Sequence, residues 1–381
     1  MASRLVQAFA MAAAAAVLVS GAAAAAPAPT PTPVAAGTLV SVDSAATIAR
    51  PQGAATASRI VYWSTGPQEK PAQVTGRMFT PVGAAPEGGW PVMSWHHPTV
   101  GIAAACSPST SGSEDYDNDV LSLWLAHGYA VVATDYVFLG DPGVEPYLDG
   151  RTEAANAIDI VRAARQADPA LSNRWVAAGY SQGGHAALVT DTLASGRAPE
   201  LELRATVAFA PVNHITEQLV LASTPGIPGA VTPDGLVALA MYMLRGLSLA
   251  RPQFDLDPYL TALGRELVGE AGRLCLDDMI KRAAGIAAGD VFAKPLGEGQ
   301  FPTVAESVFG LPPDGYKQPV FIAQGLDDQT VLPATTDLTV AELTAAHQLV
   351  TYRTYPGQTH ETIADAAAVD GLAFSDKYID S

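Results

Sequence analysis

Short β-rich runs alternate with helical segments along most of this chain, and that alternation narrows the fold more than any other feature. The runs are Arg59–Ser64, Arg77–Pro81, Pro91–His96, Tyr129–Tyr136, Arg174–Tyr180, Ala205–Ala210, Val320–Gln324 and Val350–Tyr355. Helical patterns fill the intervals near Asp115–His127, Thr152–Ala167, Gly184–Ala194, Ala334–Ala346 and Glu361–Ala373. Several of the strands are near-continuously apolar, as expected where a parallel sheet is covered on both faces. Strands and helices alternating at this length predict an α/β class with a mostly parallel, doubly wound sheet. The rhythm breaks between Val212 and about Gly315, where Leu219-Val220-Leu221 and Gly-Pro-rich loops precede helical pieces at Leu236–Leu249 and Leu260–Arg282. A helical insertion after a strand predicts a cap over the sheet's C-terminal edge; a separate helical domain with no role at the site is the alternative.

The N-terminus reads as a secretory signal. Arg4 is the only charged side chain before Asp43, an apolar run spans Met11 to Val19, and small residues end at Ala24-Ala25-Ala26 before Pro27. Residues 1–26 are therefore assigned to the signal and 27–40 to a Pro/Ala-rich tether. The remainder divides into 41–212 as the first part of a sheet core, 213–315 as the cap and 316–381 as the second part. No later stretch reaches ~18 consecutive apolar residues, so a secreted chain with no integral membrane segment is expected. A net charge of −17 argues against nucleic acid and anionic membrane surfaces as partners. The chain has two cysteines, Cys106 and Cys275. In an exported protein an even pair points to a disulfide, which across so long a loop is worth ~5 kcal/mol at most by chain entropy. Neither cysteine sits in a metal-ligand spacing, and no metal or cofactor is expected.

Chemistry concentrates at Gly179-Tyr180-Ser181-Gln182-Gly183, between the strand run from Arg174 and the small-residue stretch His185-Ala186-Ala187-Leu188-Val189. A strand, a sharp turn and a helix with serine at the apex lift that hydroxyl clear of its surroundings, and flanking glycines let strand and helix pack close. Such a serine needs a base and an acid, in the chain order serine, acid, histidine on an α/β-hydrolase sheet. The acid falls in Gly325-Leu326-Asp327-Asp328-Gln329-Thr330-Val331, just after a strand; the spacing Gly-x-x-Asp-x-x-Val favours Asp328 over Asp327. Of the seven histidines, His360 alone follows the last strand in a loop that heads the final helix. His185 reads as a packing residue, and His127, His214 and His347 as surface or helix-end residues.

A tetrahedral oxyanion needs two donors. One is the peptide N–H of Gln182; the other comes from the loop His96-His97-Pro98-Thr99-Val100-Gly101, where Pro98 has no N–H and Thr99 is the candidate. His96-His97 does not make a metal pair, because neighbours in an extended run point to opposite faces. Glu114-Asp115-Tyr116-Asp117-Asn118-Asp119 mimics the start of a calcium loop, yet Val120 and Ala126 stand where glycine and glutamate are required, so an acidic first helical turn is preferred. Asp135 precedes the elbow, the wrong order for the acid, and is read as structural.

Taken together, these blocks resemble the secretory lipase family of the α/β-hydrolase superfamily, which includes yeast lipase A-type enzymes. The likeness runs through His97-Pro98-Thr99-Val100-Gly101, Cys106-Ser107-Pro108-Ser109, Gly128–Tyr136, Leu139-Gly140, Pro146-Tyr147-Leu148, Ile158–Arg165, the elbow through Gly184, and the Asp328 and His360 loops. Pro98 departs from it, standing where the family usually has glycine. The resemblance implies an α/β-hydrolase fold with an inserted helical cap, or lid, a triad of Ser181, Asp328 and His360, and a Cys106–Cys275 bridge tying core to lid. It implies a secreted serine carboxylic-ester hydrolase acting through an acyl-enzyme on acylglycerols or other lipid-like esters, without a cofactor. Transient contact of the cap with a lipid interface is an expectation of the same resemblance. A short-chain, polymer or acetyl esterase is the nearer alternative, and a serine peptidase or amidase the more distant one.

Overall fold

The structure, a computed structural model, describes residues 34–44, 50–111, 115–139, 143–224 and 235–380. The signal segment 1–26, residues 27–33 of the tether, Glu114, Gly140 and residues 225–234 of the insertion lie outside these. The strands are β1 Leu39–Ser44, β2 Ala54–Thr65, β3 Pro71–Pro81, β4 Trp90–His96, β5 Ala130–Val137, β6 Leu171–Tyr180, β7 Glu202–Phe209, β8 Val320–Gly325 and β9 Val350–Tyr355. They form one nine-stranded sheet in the order β1-β2-β3-β5-β4-β6-β7-β8-β9. The pairs β1–β2, β2–β3 and β3–β5 are antiparallel and every later neighbour is parallel. Strand order reverses around β4, the kind of crevice where open α/β sheets bind ligands.

The helices of the core are α1 Pro108–Ser111, α2 Asp115–Ala126, α3 Gly150–Ala167 and α4 Gln182–Arg197, with α11 Pro333–Ala345 and α12 Ile363–Ile379 later in the chain. Val120 and Trp124 of α2 pack with Ala367 and Phe374 of α12 on one face of the sheet. Ile158 and Val161 of α3 and Ala187 of α4 pack on the other. Leu343 of α11 joins Leu188 of α4 there, against Val320 and Ile322. Covered on both sides, β5 is buried at every position. At the edge, β9 instead alternates between half-buried and exposed for most of its length.

Between β7 and β8 the chain forms α5 Ile215–Ala222, α6 Leu236–Ala250, α7 Ala262–Ala271, α8 Leu276–Ala283, α9 Ala288–Val291 and α10 Phe301–Phe309. They share an apolar core that includes Met241, Tyr242, Leu267, Met279 and Phe301. The single helix expected over Leu260–Arg282 is two. Gly272 closes α7, and the chain then swings so that Cys275 pairs with Gly101 in a short bridge, with the Leu276 N–H donated to Val100 O at 3.0 Å. A second correction concerns the tether: Leu39 and Val40 begin β1, which pairs along β2. A short edge strand beside a Pro-rich leader carries too little apolar signal to be seen locally.

Cys106 and Cys275 are joined, as expected. The bond links the loop after β4 to the start of α8, closing a span of 169 residues. We expect the Cys106→Ser/Cys275→Ser double variant to lose about 2–4 kcal/mol in urea unfolding. Amides of α8 should also lose exchange protection before those of β4 and β6. Unchanged unfolding midpoints would contradict this.

Candidate active site

Packing requirements at the turn from β6 into α4 dictate the position of Ser181. Register pairs His96 of β4 with Gly179 of β6. A side chain at Gly183 would place its Cβ 1.8 Å from His96 O, and one at Gly179 would lie 2.2 Å from Gly183 O. Only glycine allows so close an approach, and it drives the turn into a strained shape in which Ser181 adopts φ 58° and ψ −116°. The Ser181 N–H is tied to Phe209 O at 2.9 Å, while its carbonyl accepts from His185 and Val212 N–H. Backbone bonds thus hold the apex, and the side chain is left for chemistry.

That hydroxyl lies 2.9 Å from His360 Nε2, and His360 Nδ1 lies 2.7 Å from Asp328 Oδ2. A carboxylate can only accept, so the proton sits on Nδ1 and Nε2 is free to accept from Ser181 Oγ–H. Asp328 is buried and fully hydrogen-bonded: its Oδ1 takes Thr330 and Val331 N–H at 2.8 Å each, and Oδ2 also takes Gln324 Nε2–H at 3.2 Å. Asp327 is exposed, and its backbone N–H is donated to Gln358 O. The histidine loop is held in turn, as Tyr180 donates its hydroxyl to His360 O at 2.5 Å and lies against the imidazole with ring centres 5.1 Å apart.

The other sequence candidates have separate places. Gln182 opens α4, where peptide N–H groups lack helical partners and the dipole favours negative charge. Thr99 and Pro98 line the same cavity as Ser181, and Thr99 Oγ1 is hydrogen-bonded to Tyr147 OH at 2.5 Å. His96 and His97 have different partners. Burial brings His96 down to about 3, a neutral ring, whereas His97 donates Nδ1–H to Pro98 O and packs on Tyr136. His185 is buried and donates Nε2–H to Phe309 O. Asp135 accepts from Thr75 Oγ1–H and Ser109 N–H, a structural placement. In the acidic stretch, Asp117 turns inward to Trp95 Nε1–H and the buried Arg77.

Sequence reasoning missed Glu145 and Glu153, which accept from the Gln182 side chain, and Tyr147, which lines the same cavity as Ser181. Tyr147 stood inside a recognised block without a role. Glu145 sits in a loop and Glu153 in the first turn of α3, so nothing local marks either acid as buried.

A cavity of about 350 Å³ opens on Ser181 and His360. The inserted helices supply most of its wall, including Ile215, Leu219, Val237, Met241 and Ile280, and the lining is largely apolar. Such a site can activate a hydroxyl, bind developing negative charge at a helix start and shelter a hydrocarbon group.

Residues 106–285 match the family model of the secretory lipases. The resemblance read from the sequence is borne out by this match. The secretory lipase match supports an ester hydrolase of the lipase and esterase kind, with esters as substrates. Among solved structures, lipase A of Candida antarctica in its closed state aligns with TM-score 0.72 at 20% identity, over 91% of this chain and 83% of that one. A ligand-bound rice cell wall degrading esterase, LipA from Xanthomonas oryzae, aligns with TM-score 0.71 at 21% identity, over 91% of this chain and 99% of that one. These likenesses establish the α/β-hydrolase fold. No curated protein matches the chain at a significant level. Among the described residues, no helix is long and apolar enough to cross a membrane.

Proposed function

We propose that this secretory-lipase relative is a secreted serine carboxylic-ester hydrolase whose triad is Ser181, His360 and Asp328. The observation that carries the reading is the continuous hydrogen-bonded line from Ser181 Oγ through His360 to Asp328, opening into an apolar cavity. Ser181 Oγ attacks the ester carbonyl as its proton passes to His360 Nε2, and Asp328 holds the imidazolium in place. Peptide N–H groups of Gln182 and Thr99 receive the oxyanion. Collapse breaks the carbonyl–alkoxy bond, and the alcohol leaves with the proton from His360. Water then gives a proton to His360 and attacks the acyl-enzyme; the acid departs and Ser181 regains its hydrogen. No step calls on a cofactor.

The apolar wall favours an acyl chain over a sugar or peptide group, which supports lipid-like esters, acylglycerols among them, as substrates. Leu221, exposed at the end of α5, neighbours the cavity-lining Ala222, and this supports transient contact of the insertion with a lipid surface. The test is hydrolysis of p-nitrophenyl esters from acetate to palmitate. We expect kcat/KM to rise with chain length by roughly tenfold or more between acetate and octanoate, since each buried CH₂ adds about 0.8 kcal/mol of favourable transfer. Activity confined to acetate would favour the short-chain or acetyl-esterase reading, and hydrolysis of amides at comparable rates would favour a peptidase or amidase.

A further inference from the structure

Beneath the elbow lies an acid pair that the triad does not use. The Gln182 side chain is buried, and its Nε2 donates one hydrogen to Glu145 Oε1 at 2.7 Å and one to Glu153 Oε1 at 2.8 Å. Glu153 Oε1 also accepts the Leu148 N–H at 2.9 Å. Both acids are 1% exposed. Their outer oxygens, Glu145 Oε2 and Glu153 Oε2, have no hydrogen-bond partner, and neither does His185 Nδ1, 3.9 Å from Glu153 Oε2. His185 has already committed Nε2–H to Phe309 O. Among the described residues, no lysine or arginine forms an ion pair with either acid. The other titratable groups facing the pair are Tyr136, Tyr147 and Asp149, none a cation.

Two adjacent buried carboxylates with no lysine or arginine paired to them strongly disfavour double charge; one proton shared between them removes the conflict. We propose that Glu145 and Glu153 are positioning residues that hold one proton between them and, as a singly charged pair, clamp Gln182 so that its peptide N–H points at the oxyanion. This rests on the reading of Gln182 as an oxyanion donor. Burial first, and the Glu153 carboxylate second, hold Glu145 well above the usual carboxylate range, in line with a retained proton. The sign follows: a proton kept in the folded protein is lost as pH rises, and the second negative charge then drives the pair apart. Glu145 and Tyr147 share one loop, and Tyr147 is bonded to Thr99, so the movement disturbs both proposed donors.

The experiment is the pH dependence of kcat and KM for p-nitrophenyl butyrate, using the full secreted chain and its Glu145→Gln, Glu145→Ala and Ser181→Ala variants. We expect wild-type kcat to fall on the alkaline side with little change in KM. Glu145→Ala should lower kcat by about tenfold or more across the range, as misplaced donors do. Glu145→Gln keeps an acceptor for Gln182, offers its own N–H to Glu153 and has no proton to lose. It should recover most of that kcat and move the alkaline limb upward by about one unit or more. A limb that superimposes on wild type in Glu145→Gln, or wild-type kcat in Glu145→Ala, overturns the proposal. If Glu145→Ala does not fold, the limb of Glu145→Gln decides alone. Ser181→Ala separates the two levels: residual activity there defeats the hydrolase reading itself, whereas an inactive Ser181→Ala with unmoved limbs defeats only the role of the acid pair.

Discussion

Ser181→Ala should lower kcat on any accepted ester by roughly 10⁴–10⁶-fold while the protein stays folded. In the proposed mechanism this residue forms the covalent bond, and members of a catalytic triad act as a unit whose loss is not shared out among the others. The substitution deletes one hydrogen bond, to His360 Nε2, at a side chain that is only 7% exposed. The backbone bonds that shape the apex remain, and alanine meets the same strained φ as serine. Thermal melting should therefore shift by no more than a few degrees. The check is steady-state hydrolysis beside a melting curve on the same preparation; more than a few per cent of wild-type rate with an intact fold would remove Ser181 from the reaction. Asp328→Asn is the companion. An amide in place of the carboxylate favours the wrong imidazole tautomer, for which about 10⁴ in kcat is the expected cost.

The second large effect falls on the fold. Gly183→Ala adds a single methyl group, but its Cβ would sit 1.8 Å from His96 O and 2.4 Å from His96 C, both backbone atoms of a central strand. No rotamer relieves that contact, so either α4 must move away from β4 or the elbow must open. We expect a loss of about 3 kcal/mol or more, at the upper end for overpacking, with little folded protein recovered. Gly196→Ala is the control on the same helix. Its Cβ meets nothing within 4 Å, and alanine there should be neutral or stabilising by up to about 1 kcal/mol. Urea unfolding of both variants tests the pair. Wild-type stability and kcat in Gly183→Ala would mean that the close approach is not what builds the turn.

Local pattern carried much of this fold. Interior strands such as β5 and β6 are buried along nearly their whole length, so their composition announces them. The edge strand β1 escaped notice because an edge needs little apolar content, and its pairing with β2 is visible only in space. Cys275 illustrates the same limit. Its helical surroundings continue in sequence, but the bridge to Cys106 and the pairing with Gly101 interrupt the helix there.

The site divides along similar lines. Chain order and strand ends were enough to nominate Ser181, the Asp327-Asp328 pair and His360, because a strand's carboxyl end lies on one edge of the sheet wherever it falls in the sequence. Between adjacent aspartates, spacing could express only a preference. In the folded chain the turn after β8 exposes Asp327 and buries Asp328 against two peptide N–H groups and an imidazole. Glu145 and Glu153 were beyond sequence reasoning altogether. An acid in a loop and an acid in a first helical turn look like ordinary solvated residues, and it takes the packing of loop, helix and elbow to withdraw water from both. Residue types and their order determined which chemistry this chain can attempt; burial, which depends on contacts distant in sequence, decided which atoms meet to attempt it.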